Sequence, residues 1–66
     1  MPIIEVSGPV ITVEQKRAMA RGLTDVAAQV YARPKDQIIV LIRENPPENV
    51  GLGGELVADL RRNPPG

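Results

Sequence analysis

The sequence contains no cysteine, histidine, phenylalanine or tryptophan, and Tyr31 is its one aromatic residue. Each absence removes a class of chemistry. Without cysteine there is no disulfide to staple a small fold and no thiolate nucleophile. Without cysteine or histidine only carboxylates remain as metal ligands, and no metal site is expected. Eight basic residues balance eight acidic ones. That leaves no basic face with stacking rings for nucleic acid. No apolar run approaches the roughly 20 residues that span a bilayer, and no signal-like apolar segment precedes the first strand. The expectation is a soluble, cytoplasmic chain with no nucleic-acid or membrane partner.

Sixty-six residues allow one domain, 1–66, and a domain this small buries too little surface to be comfortable alone. Disulfides and metals being excluded, association with further copies is the remaining source of stability.

What is present alternates between strand and helix patterns. Pro2–Ser7 reads as a strand, with Ile4 and Val6 on one face and Ile3, Glu5 and Ser7 on the other. Gly8-Pro9 breaks it, and Val10 and Ile11 make an unusually apolar connection. These two either pack against a neighbour or wall a pocket. Thr12 and Gln15 have the spacing of a capping box. Met19, Leu23, Val26 and Val30 then form a helical stripe opposite Glu14, Arg17, Arg21 and Asp25. Gly22 costs about 1 kcal/mol relative to alanine inside a helix, which suggests close approach of another backbone. The helix should end near Ala32, because a residue preceding proline (here Arg33, before Pro34) avoids helical geometry, and Arg33–Gln37 should turn.

Ile38–Glu44 is expected to be a second strand, apolar on both faces for most of its length, as a strand covered on both sides is. Strand, helix and strand make a βαβ unit with a right-handed crossover and parallel strands. One helix covers one face of two strands, and such a sheet is not stable by itself, so a second subunit is expected to cover the rest. Asn45–Asn49 is a loop stiffened by Pro46 and Pro47. Val50–Leu56, with three glycines, suits either a short hairpin or a backbone pressed against another chain. Glu55–Arg62 continues as a short helical or irregular segment, and residues 62–66 are expected to fray.

The chain start carries the one candidate for chemistry. Once Met1 is removed, Pro2 holds a free secondary amine. An α-amino group has a reference pKa of about 8, so this nitrogen can exchange protons near neutral pH. Burial beside Ile3 and Ile4 would push its pKa down further, toward the range of a general base. With Met1 attached the same nitrogen is an amide and has no useful basicity.

Pro2-Ile3-Ile4, the Glu14-Gln15-Lys16 helix start, the Ile38–Glu44 strand and Val50–Leu56 (VGLGGEL) together resemble the 4-oxalocrotonate tautomerases over nearly the whole chain. The resemblance implies an α+β fold: a βαβ protomer with two parallel strands, one crossover helix and a C-terminal hairpin, oligomerising through the sheet. It further implies a homohexamer built as a trimer of dimers. Pro2 would be the catalytic general base of a cofactor-independent keto–enol proton transfer on a small unsaturated 2-oxo or enol acid. Two arginines of the family that grip substrate carboxylates fall here on the Val10–Ile11 connection and on Ile39. The family's aromatic wall residue is matched by Val50. Ile39, Val50 and Arg43, the last four residues along Ile39's strand face and about 13 Å away, are therefore the substrate-binding candidates. Read by itself, Arg43 is better taken as a solvated strand end. Val10, Ile11, Ile39 and Val50 would form an apolar mouth, leaving either backbone N–H groups or Arg43, Arg61 or Arg62 of a neighbouring subunit to stabilise the developing charge. The reading from another class is an oligomeric binding or structural module that keeps the fold without the chemistry. The intact mass of untagged protein separates the two, because loss of one methionine keeps the enzyme alive.

Overall fold

Two strands lie side by side: β1 (Ile3–Gly8) and β2 (Ile39–Glu44) are parallel, with Ile3 opposite Ile39, Glu5 opposite Leu41 and Ser7 opposite Arg43. The computed structural model describes residues 1–62, and side chains as far as Arg61. Helix α1 (Val13–Tyr31) crosses between the strands and packs chiefly on β2. A 3-10 turn at Lys35–Gln37 leads into β2 and another at Pro47–Asn49 leads out. Then come the short arms β3 (Gly51–Leu52) and β4 (Glu55–Leu56), and helix α2 (Val57–Arg62). The chain is α+β, and its βαβ unit is followed by a C-terminal hairpin. No described helix is long and apolar enough to cross a membrane.

Local chemistry sets each boundary. The capping box forms: Thr12 Oγ1 accepts from the Gln15 amide at 3.1 Å, and Gln15 Oε1 accepts from the Thr12 amide at 2.9 Å. At the other end Ala32 turns left-handed (φ 55°) and its amide returns to Ala28 O, closing the helix before Pro34 as its ring requires. β2 starts one residue later than expected, because the Ile38 amide is spent on Lys35 O at 3.1 Å. β1 likewise begins at Ile3 and runs on to Gly8, which pairs with Glu44. Gly53 (φ 62°) and Gly54 (φ 88°) form the two-residue turn between β3 and β4. Positive φ at both central positions is the twist-matched solution for a tight hairpin, and glycine adopts it without steric cost. Of the expected fraying segment, Arg62 closes α2, and residues 63–66 lie outside the described residues.

The stripe expected to bury α1 needs correction. Ala27 is buried and Ala20, Leu23, Thr24 and Ala28 are half-buried, whereas Met19, Val26 and Val30 are exposed, Val26 by 62%. The sheet is only two strands wide and offers Ile4, Val6, Val40 and Ile42 to the helix. Small residues let the helix settle close to so narrow a platform, and the larger apolar row is left along its flank. Gly22 lies on that flank, and a Cβ placed there would meet nothing within 4 Å. No other backbone among the described residues approaches it.

A carboxylate secures the far end of the sheet. Glu44 Oε2 accepts from the Ile11 amide at 3.0 Å, and Glu44 Oε1 accepts from Lys16 Nζ at 2.7 Å. Next to it, Asn45 donates from Nδ2 to Ser7 Oγ at 2.7 Å and from its backbone amide to Gly8 O at 2.8 Å. The hydrogen bond from Lys16, and then that from Ile11, hold the Glu44 carboxyl below the usual glutamate range.

Two predictions follow from these observations. Among the described residues Ala27 alone is buried, and Ile3 (58%) and Leu41 stand exposed on the sheet face away from α1. The radius of gyration, 16.0 Å, exceeds the about 11 Å of a compact chain of this length. Stability should therefore rise with protein concentration. A folded species of monomer mass in the ultracentrifuge at micromolar concentration would contradict this. The second concerns Glu44. A carboxyl whose pKa is lowered by folding contributes stability that is present above its unfolded pKa and lost as pH falls through the lower folded value. The difference in urea midpoint between the parent protein and E44Q should thus shrink below the usual glutamate range. A difference independent of pH would refute the assignment.

Candidate active site

Pro2 sits at the entrance of β1, half-buried, with its carbonyl accepting the Ile39 amide at 3.0 Å. That bond anchors Pro2 to the second strand. Met1 is 82% exposed, so its removal takes away almost no packing. Ile39 stands beside Pro2 as the cross-strand partner of Ile3, on the face that α1 leaves open.

The other candidate residues gather elsewhere. A cavity of about 420 Å³ opens at the far end of β1, walled by Val10, Pro47, Val50 and Val57, with Asn45 and Arg61 supplying polar groups. The β1–α1 loop carries Val10 there, the 3-10 turn at Pro47–Asn49 delivers Val50, and α2 brings Val57 and Arg61. The Val57 amide bonds Val50 O at 2.8 Å, which fixes the start of α2 against the Val50 wall. Val10, Val50 and Arg61 are thus brought together. Pro2 and Ile39 are not with them: six residues of strand, about 20 Å, separate Pro2 from Gly8 at the cavity. The four-residue mouth expected from sequence divides, Val10 and Val50 lining the cavity while Ile39 stays at the other end. Ile11 is half-buried and its amide is held by Glu44.

Arg43 lies on the open sheet face, 66% exposed at its side chain, with Nη2 3.8 Å from Glu5 Oε1. At that exposure the pair contributes little to stability, and the guanidinium keeps donors for another acceptor. The side chain of Arg62 lies outside the described residues.

Sequence reasoning missed Glu44 and Lys16. Both could have been found. Glu44 shares a strand face with Val40 and Ile42, and Lys16 falls on the helical row of Ala20, Leu23 and Ala27. Opposite charges on two apolar surfaces that must pack together have to pair or leave the interface.

Comparison with known proteins agrees with this architecture. A family model described as tautomerase enzyme matches residues 2–60. The chain is 38% identical over 68 residues to a probable tautomerase of Helicobacter pylori, covering 94% of this chain and 97% of that protein. It is 46% identical to the crystal structure of DmpI from Archaeoglobus fulgidus, with a TM-score of 0.77, over 88% of this chain and all of that one. The structure of TomN, a 4-oxalocrotonate tautomerase homologue of the tomaymycin biosynthetic pathway, superposes with a TM-score of 0.85 at 29% identity, over 97% of this chain and all of that one. A proline at the strand entrance, a βαβ unit closed by a glycine hairpin, and these matches along nearly the full length lead to one conclusion: the chain belongs to the tautomerase enzyme family, and is an isomerase.

Proposed function

We propose that the chain catalyses keto–enol proton transfer on a small unsaturated 2-oxo or enol acid, with the Pro2 amine, freed of Met1, as general acid/base. The observation that carries this is the placement of Pro2: half-buried at a strand entrance, tied to Ile39, with Met1 standing outside the packing. The uncharged amine takes the proton from the enol oxygen, and the resulting ammonium returns a proton to carbon two or four atoms along the conjugated chain. One proton leaves oxygen and one arrives at carbon, so no oxidant, reductant or cofactor is needed. Half-burial beside Ile3 and Ile39 favours the neutral amine.

Negative charge builds on the substrate oxygen as its proton leaves, and a preorganised donor must stabilise it. Arg61 in the Val10–Val50 cavity is suited to that work and to gripping a carboxylate. Since about 20 Å of strand separates that cavity from Pro2 of the same chain, the complete site forms where the cavity of one subunit meets Pro2 of another. A homohexamer, a trimer of dimers joined through the open sheet faces, is the assembly we favour, in the cytoplasm. Ile39 lines the Pro2 side of the site, and Arg43 stands at its rim. Among the described residues Arg61 is the one cation at a cavity whose other polar side chain is Asn45, which suits a monocarboxylate better than a dicarboxylate.

Protein that retains Met1, or whose N-terminus is blocked, should fold and assemble normally yet lose turnover of enols. Processed protein should gain activity with pH through one ionisation below about 8. Equal rates for blocked and processed protein would remove Pro2 from the mechanism. Alanine at each of Arg43, Arg61 and Arg62 tests the charge. We expect kcat/KM on an enol acid to fall about tenfold or more for R61A alone, in line with loss of one charge-assisted contact. Three silent substitutions would leave backbone amides as the stabilising group.

A further inference from the structure

The loop that carries Val10 into the cavity is held at both ends by adjacent residues of β2's terminus. Asn45 fixes its start, through Ser7 Oγ at 2.7 Å and Gly8 O at 2.8 Å. Glu44 fixes its end, through the Ile11 amide at 3.0 Å. Only Pro9 and Val10 lie between these anchors, and the ring of Pro9 restricts φ at its own position. Where the Val10 side chain stands is therefore decided by the two anchors. The Glu44 anchor is itself held: Lys16 Nζ, from the first turns of α1, lies 2.7 Å from its other oxygen. This carboxylate is half-buried, is bonded on both oxygens, and has no part in the proton transfer proposed above.

We infer that Glu44 is a positioning residue for substrate: by holding the Ile11 amide it keeps Val10 in the cavity wall and so sets which enol acids the cavity accepts. The inference rests on the reading of the Val10–Val50–Arg61 cavity as the substrate pocket, and is independent of which group is the base. The geometry assigns a division of labour. Arg61 and Val50 come from segments after β2 that Glu44 does not touch, so loss of its carboxylate should move one wall and leave the other. The Pro2 amine, at the opposite end of β1, should not respond.

The test compares the processed parent protein with E44A and E44Q as assembled full chains. Glutamine keeps an acceptor oxygen for the Ile11 amide while giving up the charge that faces Lys16. Binding of an unreactive saturated 2-oxo acid, measured by calorimetry, and KM for an enol acid should both weaken about tenfold in E44A, the size expected for losing one charge-assisted hydrogen bond. The kcat should stay within about twofold and its pH profile should not move, since the interaction lost is one of binding rather than of chemistry. E44Q should recover most of the affinity, which a general loss of fold would not allow. Backbone amide exchange at Ile11 should be slow in the parent protein and fast in E44A.

Unchanged affinity in E44A would overturn the inference. So would an E44Q as impaired as E44A, or a fall in kcat equal to the rise in KM. Rapid exchange of the Ile11 amide in the parent protein would overturn it even if E44A does not assemble. Failure of the Pro2 mechanism reads differently: Met1-retaining protein would turn over enols at the parent rate, while the shift in 2-oxo acid affinity would persist. No binding of the 2-oxo acid by any of the proteins would end both the pocket assignment and the inference.

Discussion

A two-stranded sheet covered by one helix cannot enclose a hydrophobic core, and this geometric limit shapes the rest of the protein. Each strand has two faces, and α1 occupies one side only. Ile4, Val6, Val40 and Ile42 meet the helix, while Ile3, Ile39 and Leu41 face away from it. The helix presents small residues to the narrow platform and carries Met19, Val26 and Val30 on a free flank. Such a protomer has few buried contacts to offset the entropy of ordering its chain. Its exposed apolar rows are, in the same measure, what it can offer to another copy.

The same limit governs where chemistry can sit. A protomer this thin has almost no interior, and the groups proposed for catalysis lie at its ends. Pro2 stands at one end of β1 and the Val10–Val50–Arg61 cavity at the other, divided by the length of a strand. Both ends are stiffened by hydrogen bonds to β2: Ile39 holds the Pro2 carbonyl, and Glu44 with Asn45 holds the Ser7–Ile11 segment. Parallel pairing makes this possible, because it places the start of β1 beside the start of β2 and the end of β1 beside the end of β2. The polar investment of the chain is concentrated there, in Lys16, Glu44 and Asn45, while charges such as Glu14 and Arg17 or Asp25 and Lys35 pair on exposed surface.

Much of this was legible in the amino-acid order because it depends on short-range rules. Period-two alternation located the first strand and a continuous apolar run the second, the Thr12–Gln15 spacing located the start of α1, and Pro34 limited its end. The glycines of Val50–Leu56 permitted a hairpin, although residue patterns alone left a backbone pressed against another chain equally open. The want of histidine and cysteine left the N-terminal amine as the one nitrogen expected to exchange protons near neutral pH. These features involve neighbours within a few residues, where stereochemistry leaves little choice.

What only the tertiary structure decided depends on residues far apart in the chain. Hydropathy ranked Val26 and Val30 with Leu23 as core, but the width of the sheet, not the apolarity of the helix, determined which row was covered, and Ala27 took the buried place. Val10, Val50 and Arg61 converge because a loop, a 3-10 turn and α2 fold onto one another, and Ile39 is excluded from that group by the strand length between them. The Glu44–Lys16 pair joins residues 28 positions apart. Each charge could be placed on its own face by periodicity, yet their meeting required the crossover of α1 over β2, which is a property of the folded chain.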